Sequence, residues 1–154
     1  MTDIEEILHI SSDAEFERAA VGLFRFQSER CAPYREYVRL VGIDPAGVDC
    51  VARITFLPIE LFKTHDIYCG DAAPEAVFTS SSTTGQTPSR HPMARLDIYE
   101  RTFEAAFRTF YGDEAQYGIY ALLPSYLQRK GSSLVYMADR LIAHGNSGGF
   151  YLDD

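Results

Sequence analysis

From Glu75 to Leu152 the apolar residues switch repeatedly between short continuous runs and helical spacing. This alternation limits the second half of the chain to a layered α/β arrangement. Glu75 to Phe78 reads as a brief strand. Leu96, Tyr99, Phe103, Ala106, Phe107 and Phe110 then recur at helical spacing, with Asp97/Arg101 and Glu104/Arg108 placed i,i+4 on the polar side. Tyr117 to Leu123 is a near-continuous apolar run ended by Pro124, the pattern of a strand covered on both faces. Ser132 or Ser133 can cap the next helix, whose Leu134, Ala138, Leu141 and Ile142 share a face, and Gly145-Asn146 is its stop. Phe150-Tyr151-Leu152 starts a further strand. The result is a βαβαβ pattern with parallel pairing as the expected topology.

Residues 1–50 read as helical. Ser12 followed by Glu15 fits a capping box, and Phe16, Ala19, Ala20, Leu23 and Phe24 behind it mark one apolar face. Pro33 suits the first turn of a second helix carrying Tyr34, Tyr37, Val38 and Val41, and Gly42, Asp44-Pro45 and Gly47 end it. Composition does not shift along the chain, so residues 1–154 are expected to form one domain, helical over 1–50 and α/β over 51–154. A chain of this length buries roughly 70% of its unfolded surface, enough for a core without staples.

Between the first strand and the strong helix lies an uncharged tract, Thr79 to Ser89, in which eight of eleven residues are Ser or Thr. Such composition is common in surface linkers. Here it lies between two ordered elements and is followed by Arg90 and His91. Turn amides form an anion-binding nest and hydroxyls add donors, so the same residues can wrap a phosphate. No Gly-Lys-Ser/Thr follows, so this is not a Walker A loop.

Composition removes several other classes. With 14 Lys+Arg against 22 Asp+Glu the net charge is −8, which argues against general nucleic-acid binding. No apolar run approaches the ~20 residues of a membrane span, and the acidic N-terminus is unlike a signal peptide. Cys31, Cys50 and Cys69 are odd in number and far apart, which disfavours a disulfide framework and suits a reducing cytoplasm. Each is expected to be a small buried apolar residue. His9, His65, His91 and His144 have no metal-binding spacing, so no metal site of the protein itself is expected. His65 and His91 alone lie near the tract, and there is no GxSxG elbow for a hydrolase. The stripe Tyr99, Phe103, Phe107 and Phe110 reads as core packing.

Phe78-Thr79-Ser80-Ser81-Ser82-Thr83-Thr84-Gly85 resembles the Ser-Ser-Gly-Thr-Thr-Gly phosphate loop of adenylate-forming enzymes. Phe56-Leu57-Pro58-Ile59-Glu60-Leu61-Phe62-Lys63 upstream and Ala121-Leu122-Leu123-Pro124-Ser125-Tyr126 downstream narrow the resemblance to the LuxE-like acyl-protein synthetases, relatives of phenylacetate-CoA ligases. The similarity runs from the first helix to Leu152. It implies the partial N-terminal domain of an adenylate-forming ligase. In that reaction ATP activates a carboxylic acid, a fatty acid in the luminescence enzymes, to an acyl-adenylate. The acyl group then passes to a thiol, either a protein cysteine or coenzyme A.

By this resemblance Ser81, Ser82, Thr83, Thr84 and Gly85 would cradle the ATP phosphates, with Mg²⁺ as the accompanying ion, and Pro124, Ser125 and Tyr126 would line the acyl or adenylate pocket. Ser82 stands where the family usually has Gly. Full family members are roughly twice as long, consistent with more than one domain. The chain is therefore expected to be an N-terminal portion not competent alone, needing a C-terminal portion or a partner chain. None of the three cysteines matches the acylated cysteine of the luminescence enzymes, so none receives a nucleophile role. The alternative expectation is a non-catalytic module that keeps the fold and binds a nucleotide, an acyl ligand or a partner.

Overall fold

The computed structural model describes residues 4–80, 87–123 and 131–152. Three helices open the chain: α1 (Ile4–Leu8), α2 (Asp13–Arg30) and α3 (Ala32–Leu40). The Ser12 hydroxyl accepts from the Glu15 N–H at 3.3 Å, and the Glu15 carboxylate accepts from the Ser11 N–H at 2.9 Å. The reciprocal bond of the capping box thus falls one residue earlier than the sequence pattern predicts. Pro33 lies in the first turn of α3, as expected. Short 3₁₀ turns at Pro45–Gly47, Val51–Arg53 and Ile59–Lys63 carry the chain onward. Phe24, Cys31, Tyr34, Val38 and Val48 form the core of this half. The buried stripe of α2 runs through Val21, Phe24 and Ser28, while Phe16 and Leu23 are exposed. That corrects the predicted face: α3 and the 3₁₀ turns cover α2 from one side only, so its apolar arc is wider than its buried one.

The second half is mixed α/β. Strand β1 (Ala76–Thr79) pairs antiparallel with β2 (Arg90–Met93), Phe78 opposite His91. Helix α4 (Leu96–Tyr111) follows, then β3 (Gly118–Ala121), α5 (Ser133–His144) and β4 (Ser147–Phe150). β3 and β4 pair in parallel around α5, and the Tyr151 N–H extends the ladder to the Ala121 carbonyl at 2.8 Å. Parallel pairing is thus found for β3 and β4. Among the described residues the strands make two separate two-stranded sheets, and β1 joins an antiparallel hairpin.

The expected two-sided burial of Tyr117 to Leu123 is not found. Alternate residues of β3 face solvent, and Leu122 is 77% exposed. Among the described residues helix α5 packs on this sheet and covers a single face. On the exposed side Tyr120 rests on Tyr151 with ring centres 5.6 Å apart.

Helices α4 and α5 run in the same direction, with contacts that advance together along both. The Tyr99 hydroxyl donates to the Ser133 carbonyl at 3.1 Å, Glu100 meets Tyr136 and Arg140, and Glu104 meets His144 at 3.2 Å. Phe78 of β1 packs against Tyr99 and Tyr136 at 5.4 and 5.5 Å, and Phe103 packs edge-on against Tyr99. Tyr99 and Phe103 confirm the predicted core stripe, but Phe110 is 80% exposed. Asp97 pairs with Arg95 and Arg101 reaches Glu5 of α1, so the predicted Asp97–Arg101 pair is replaced by a bond joining α1 to α4. Ser132 supplies the cap of α5, accepting from the Val135 N–H at 3.3 Å.

Past α4, Glu114 in the 3₁₀ turn Glu114–Gln116 is only 3% exposed because the Arg108 guanidinium covers it with a two-point contact. Those hydrogen bonds hold the Glu114 carboxyl below its ordinary value of 4.5. A depressed carboxyl pKa contributes stability that is present above its unfolded value and lost as pH falls through the folded one. Acid unfolding should therefore lose this contribution below about pH 4.5, and Glu114→Gln should flatten the pH dependence of thermal stability in that range. Arg108→Met should destabilise by about 1–3 kcal/mol in denaturant titrations at neutral pH, since it leaves a covered carboxylate unpaired.

The β3–β4 ladder depends on Gly148, whose φ of 143° disfavours a side chain and whose missing Cβ would run into the Ile119 backbone. Gly148→Ala should cost about 1–3 kcal/mol from strain alone. Gly149→Ala, which would place its Cβ an ordinary 3.6 Å from Tyr151, should cost less by the same measurement.

Candidate functional site

The Ser/Thr tract leaves the molecule where β1 ends and returns where β2 begins. Its foot is closed by two hydrogen bonds: the Ser80 N–H donates to the Ser89 carbonyl at 3.1 Å, and the Ser89 N–H donates to the Ser80 hydroxyl at 2.9 Å. Ser89 is buried, and its hydroxyl lies 3.1 Å from His91 Nε2. His91 stacks on Phe62, ring centres 5.0 Å apart and planes inclined by 26°. This contact brings the 3₁₀ turn Ile59–Lys63 against β2 and carries the following residues to the same place.

There a cavity of about 140 Å³ opens, lined by Phe62, Lys63, Thr64, His65, Asp66 and Arg90. Arg90 Nε lies 3.5 Å from the Asp66 carboxylate, and the Thr64 hydroxyl is 2.8 Å from His65 Nδ1. Two permanent cations against one carboxylate leave the wall with a net positive charge. Lys63 has no ion pair among the described residues. The site is small and cationic, suited to a phosphate or carboxylate oxygen.

Of the residues expected to bind phosphate, Ser81, Ser82, Thr83, Thr84 and Gly85 lie outside the described residues, as do Pro124, Ser125 and Tyr126 of the expected acyl pocket. The described residues next to these two segments meet: the Thr79 N–H donates to the Gly131 carbonyl at 2.8 Å. The structure also brings His65 and His91 to the foot of the tract, although only Phe62 touches His91 by ring stacking. Lys63 and Asp66 were not singled out by the sequence, because nothing local links the 3₁₀ turn to a strand more than twenty residues later.

Two other arrangements have functional chemistry. Glu104, Glu114 and His144 place one ligand-type atom each within 4.8 Å of one another. Arg108 contacts both carboxylates, and His144 lies against Glu104, so the positive charge a cation would bring is already supplied by the protein. This is an ion-pair network holding the end of α4 to the end of α5. A broader depression of about 480 Å³ lies between α1 and α2, lined by Glu6, His9, Glu15 and Arg18. Its Glu15 is consumed in capping α2 and its His9 bonds back to the Glu5 carbonyl.

An apolar groove runs along α2. One part, of about 170 Å³, is lined by Phe16, Leu23, Phe24, Ile54 and Phe56; the adjoining part, of about 250 Å³, continues past Tyr34 to Phe62, Ile67 and Cys69. Phe56, shared by both, is 71% exposed. No helix among the described residues is long and apolar enough to cross a membrane. Searches of the chain against protein-family models, curated proteins and solved structures find no match.

Proposed function

We propose that the chain binds the phosphates of ATP at the foot of the Ser/Thr tract and serves the activation of a carboxylic acid, of the fatty class, for transfer to a thiol. The observation that carries this reading is the cavity where Lys63 and Arg90 outnumber Asp66, beside the two ends of a tract rich in hydroxyls and free of carboxylates. The resemblance to LuxE-like acyl-protein synthetases supplies the reaction class. A carboxylate oxygen attacks the α-phosphorus of ATP, the bond to the β-phosphate oxygen breaks, and pyrophosphate leaves. A thiolate then attacks the acyl carbon and expels AMP.

Both reactants of the first step are anions, so the protein's task is to hold them together against their repulsion. Lys63 and Arg90 supply fixed positive charge, and the hydroxyls of Ser81, Ser82, Thr83 and Thr84 with the amides of Gly85 and its neighbours supply donors. Mg²⁺ bound to a nucleotide is held mainly by phosphate oxygens and one or two carboxylates. Asp66 is the carboxylate lining the cavity. Bound there, the ion would offset phosphate charge.

Calorimetric titration with ATP–Mg²⁺ tests the reading. Lys63→Ala and Arg90→Ala should each weaken binding by about tenfold, the loss of one charge-assisted hydrogen bond. Ser82→Gly, which restores the family's usual residue, should leave affinity no weaker. Absence of ATP binding, or unchanged affinity in both cation variants, would refute the phosphate assignment. Carboxylate-dependent exchange of labelled pyrophosphate into ATP reads the chemical step.

A second reading is favoured by the apolar groove along α2: a module that binds an acyl chain or partner without performing chemistry. It predicts fatty-acid binding that survives Arg90→Ala, with no pyrophosphate exchange under any condition.

A further inference from the structure

Cys31 and Cys69 are far apart in sequence, yet the fold sets them side by side. Cys31 is the junction residue between α2 and α3, 1% exposed, with its N–H donating to the Gln27 carbonyl at 2.9 Å. Cys69 belongs to the extended segment leading to β1 and packs against the core cluster that contains Cys31. Both line the cavity of about 250 Å³ at the end of the apolar groove, so the two residues border a common space. An exposed ion pair lies beside them at the surface. Arg30, next to Cys31, lies 3.7 Å from the carboxylate of Asp71, two residues beyond Cys69.

The Cys69 side is held by a local turn. The Tyr68 ring folds over Gly70, where a Cβ would overlap it, and the Tyr68 hydroxyl donates to the Ala72 carbonyl at 3.0 Å. Cys50 lines neither part of the groove.

We propose that Cys31 and Cys69 are an oxidisable pair that a peroxide-class oxidant closes to an intramolecular disulfide. A thiolate of the pair attacks one peroxide oxygen: a sulfur–oxygen bond forms, the oxygen–oxygen bond breaks, and the departing hydroxide takes up the proton released by that thiol. The second sulfur then attacks the sulfenic sulfur and expels its oxygen as water. Overall two thiols and one hydrogen peroxide give one disulfide and two waters, the sulfurs being oxidised and the peroxide reduced.

Burial, reinforced by the adjacent Cys31 sulfur, pushes the Cys69 thiol up to about 11, so it rests as a neutral thiol at neutral pH. Such a thiol is slow toward oxidants. The neighbouring sulfur directs oxidation, once begun, to a disulfide and away from the higher sulfur acids. The bond would tie the helical half of the chain to the segment that enters β1. Its formation requires no bound nucleotide.

The test treats the purified chain with hydrogen peroxide, blocks remaining thiols with N-ethylmaleimide and maps the peptides by mass spectrometry. The wild type and Cys50→Ser should each yield a linked Cys31–Cys69 peptide that dithiothreitol dissolves. The oxidised wild type should unfold at a thermal midpoint raised by roughly 5 °C or more. Cys69→Ser, a change at the half-buried partner that spares the core cysteine, should give no linked peptide and no thermal shift. The proposal fails if Cys50 takes part in the link, if the products are disulfide-joined dimers, if Cys69 is carried to its sulfinic acid without a link, or if both thiols remain alkylatable.

Discussion

Phe78 is the point on which the second half of the molecule is assembled. Its ring fills the space between Tyr99 of α4 and Tyr136 of α5, and a buried aromatic contributes both area and ring-to-ring contacts worth about 0.5–1.5 kcal/mol each beyond that area. With Phe78 seated, β1 has a fixed position. The residue opposite it in β2 is His91, whose ring rests on Phe62. One anchored side chain therefore determines where the Ser/Thr tract leaves the core, where it returns, and which 3₁₀ turn supplies cations beside it. The same strand reaches the start of α5 through Thr79 and Gly131.

Around this apolar centre the charged residues keep the two helices in register. Glu100, Glu104 and Arg108 succeed one another at i,i+4 on α4 and meet Tyr136, Arg140 and His144, spaced likewise on α5, together with Glu114 beyond α4. Each exposed pair is worth little, on the order of 0–1 kcal/mol. Their value lies in matching: shifting one helix by a turn would part Glu100 from Arg140 and Glu104 from His144. Hydrophobic packing sets the distance between α4 and α5, and the polar ladder sets their alignment.

Much of this is legible in the sequence where structure is local. Ser12 and Ser132 cap helices as their positions suggest, Pro33 opens α3, and the Tyr99–Phe103 stripe enters the core. Non-local facts are not legible. β2 has a sequence of Arg-His-Pro-Met, with two potentially charged residues and a proline, and it becomes a strand because β1 offers it an edge. The continuous apolarity of Tyr117 to Leu123 points to burial on both faces, but nothing in its own residues states how many neighbours the sheet has. Glu114 reads as surface charge until Arg108 folds over it. The meeting of Cys31 with Cys69, and of Lys63 with Arg90, depends on loop closure across many residues, which periodicity does not encode. The residues expected to hold phosphate lie outside the described part, so the site is legible there in its surroundings alone.

Those surroundings bear on an apparent conflict between the charge of the chain and the anionic ligand proposed for it. A net charge of −8 repels phosphate at long range. At physiological ionic strength, however, screening acts over about 8 Å, so a ligand at the cavity mouth responds mainly to the groups in its wall. Lys63 and Arg90 outweigh Asp66 there, and the adjoining tract contributes dipoles and no opposing charge. Uncharged Ser/Thr composition also suits a flexible spacer, so what distinguishes this tract is its place beside two cations rather than its residues alone.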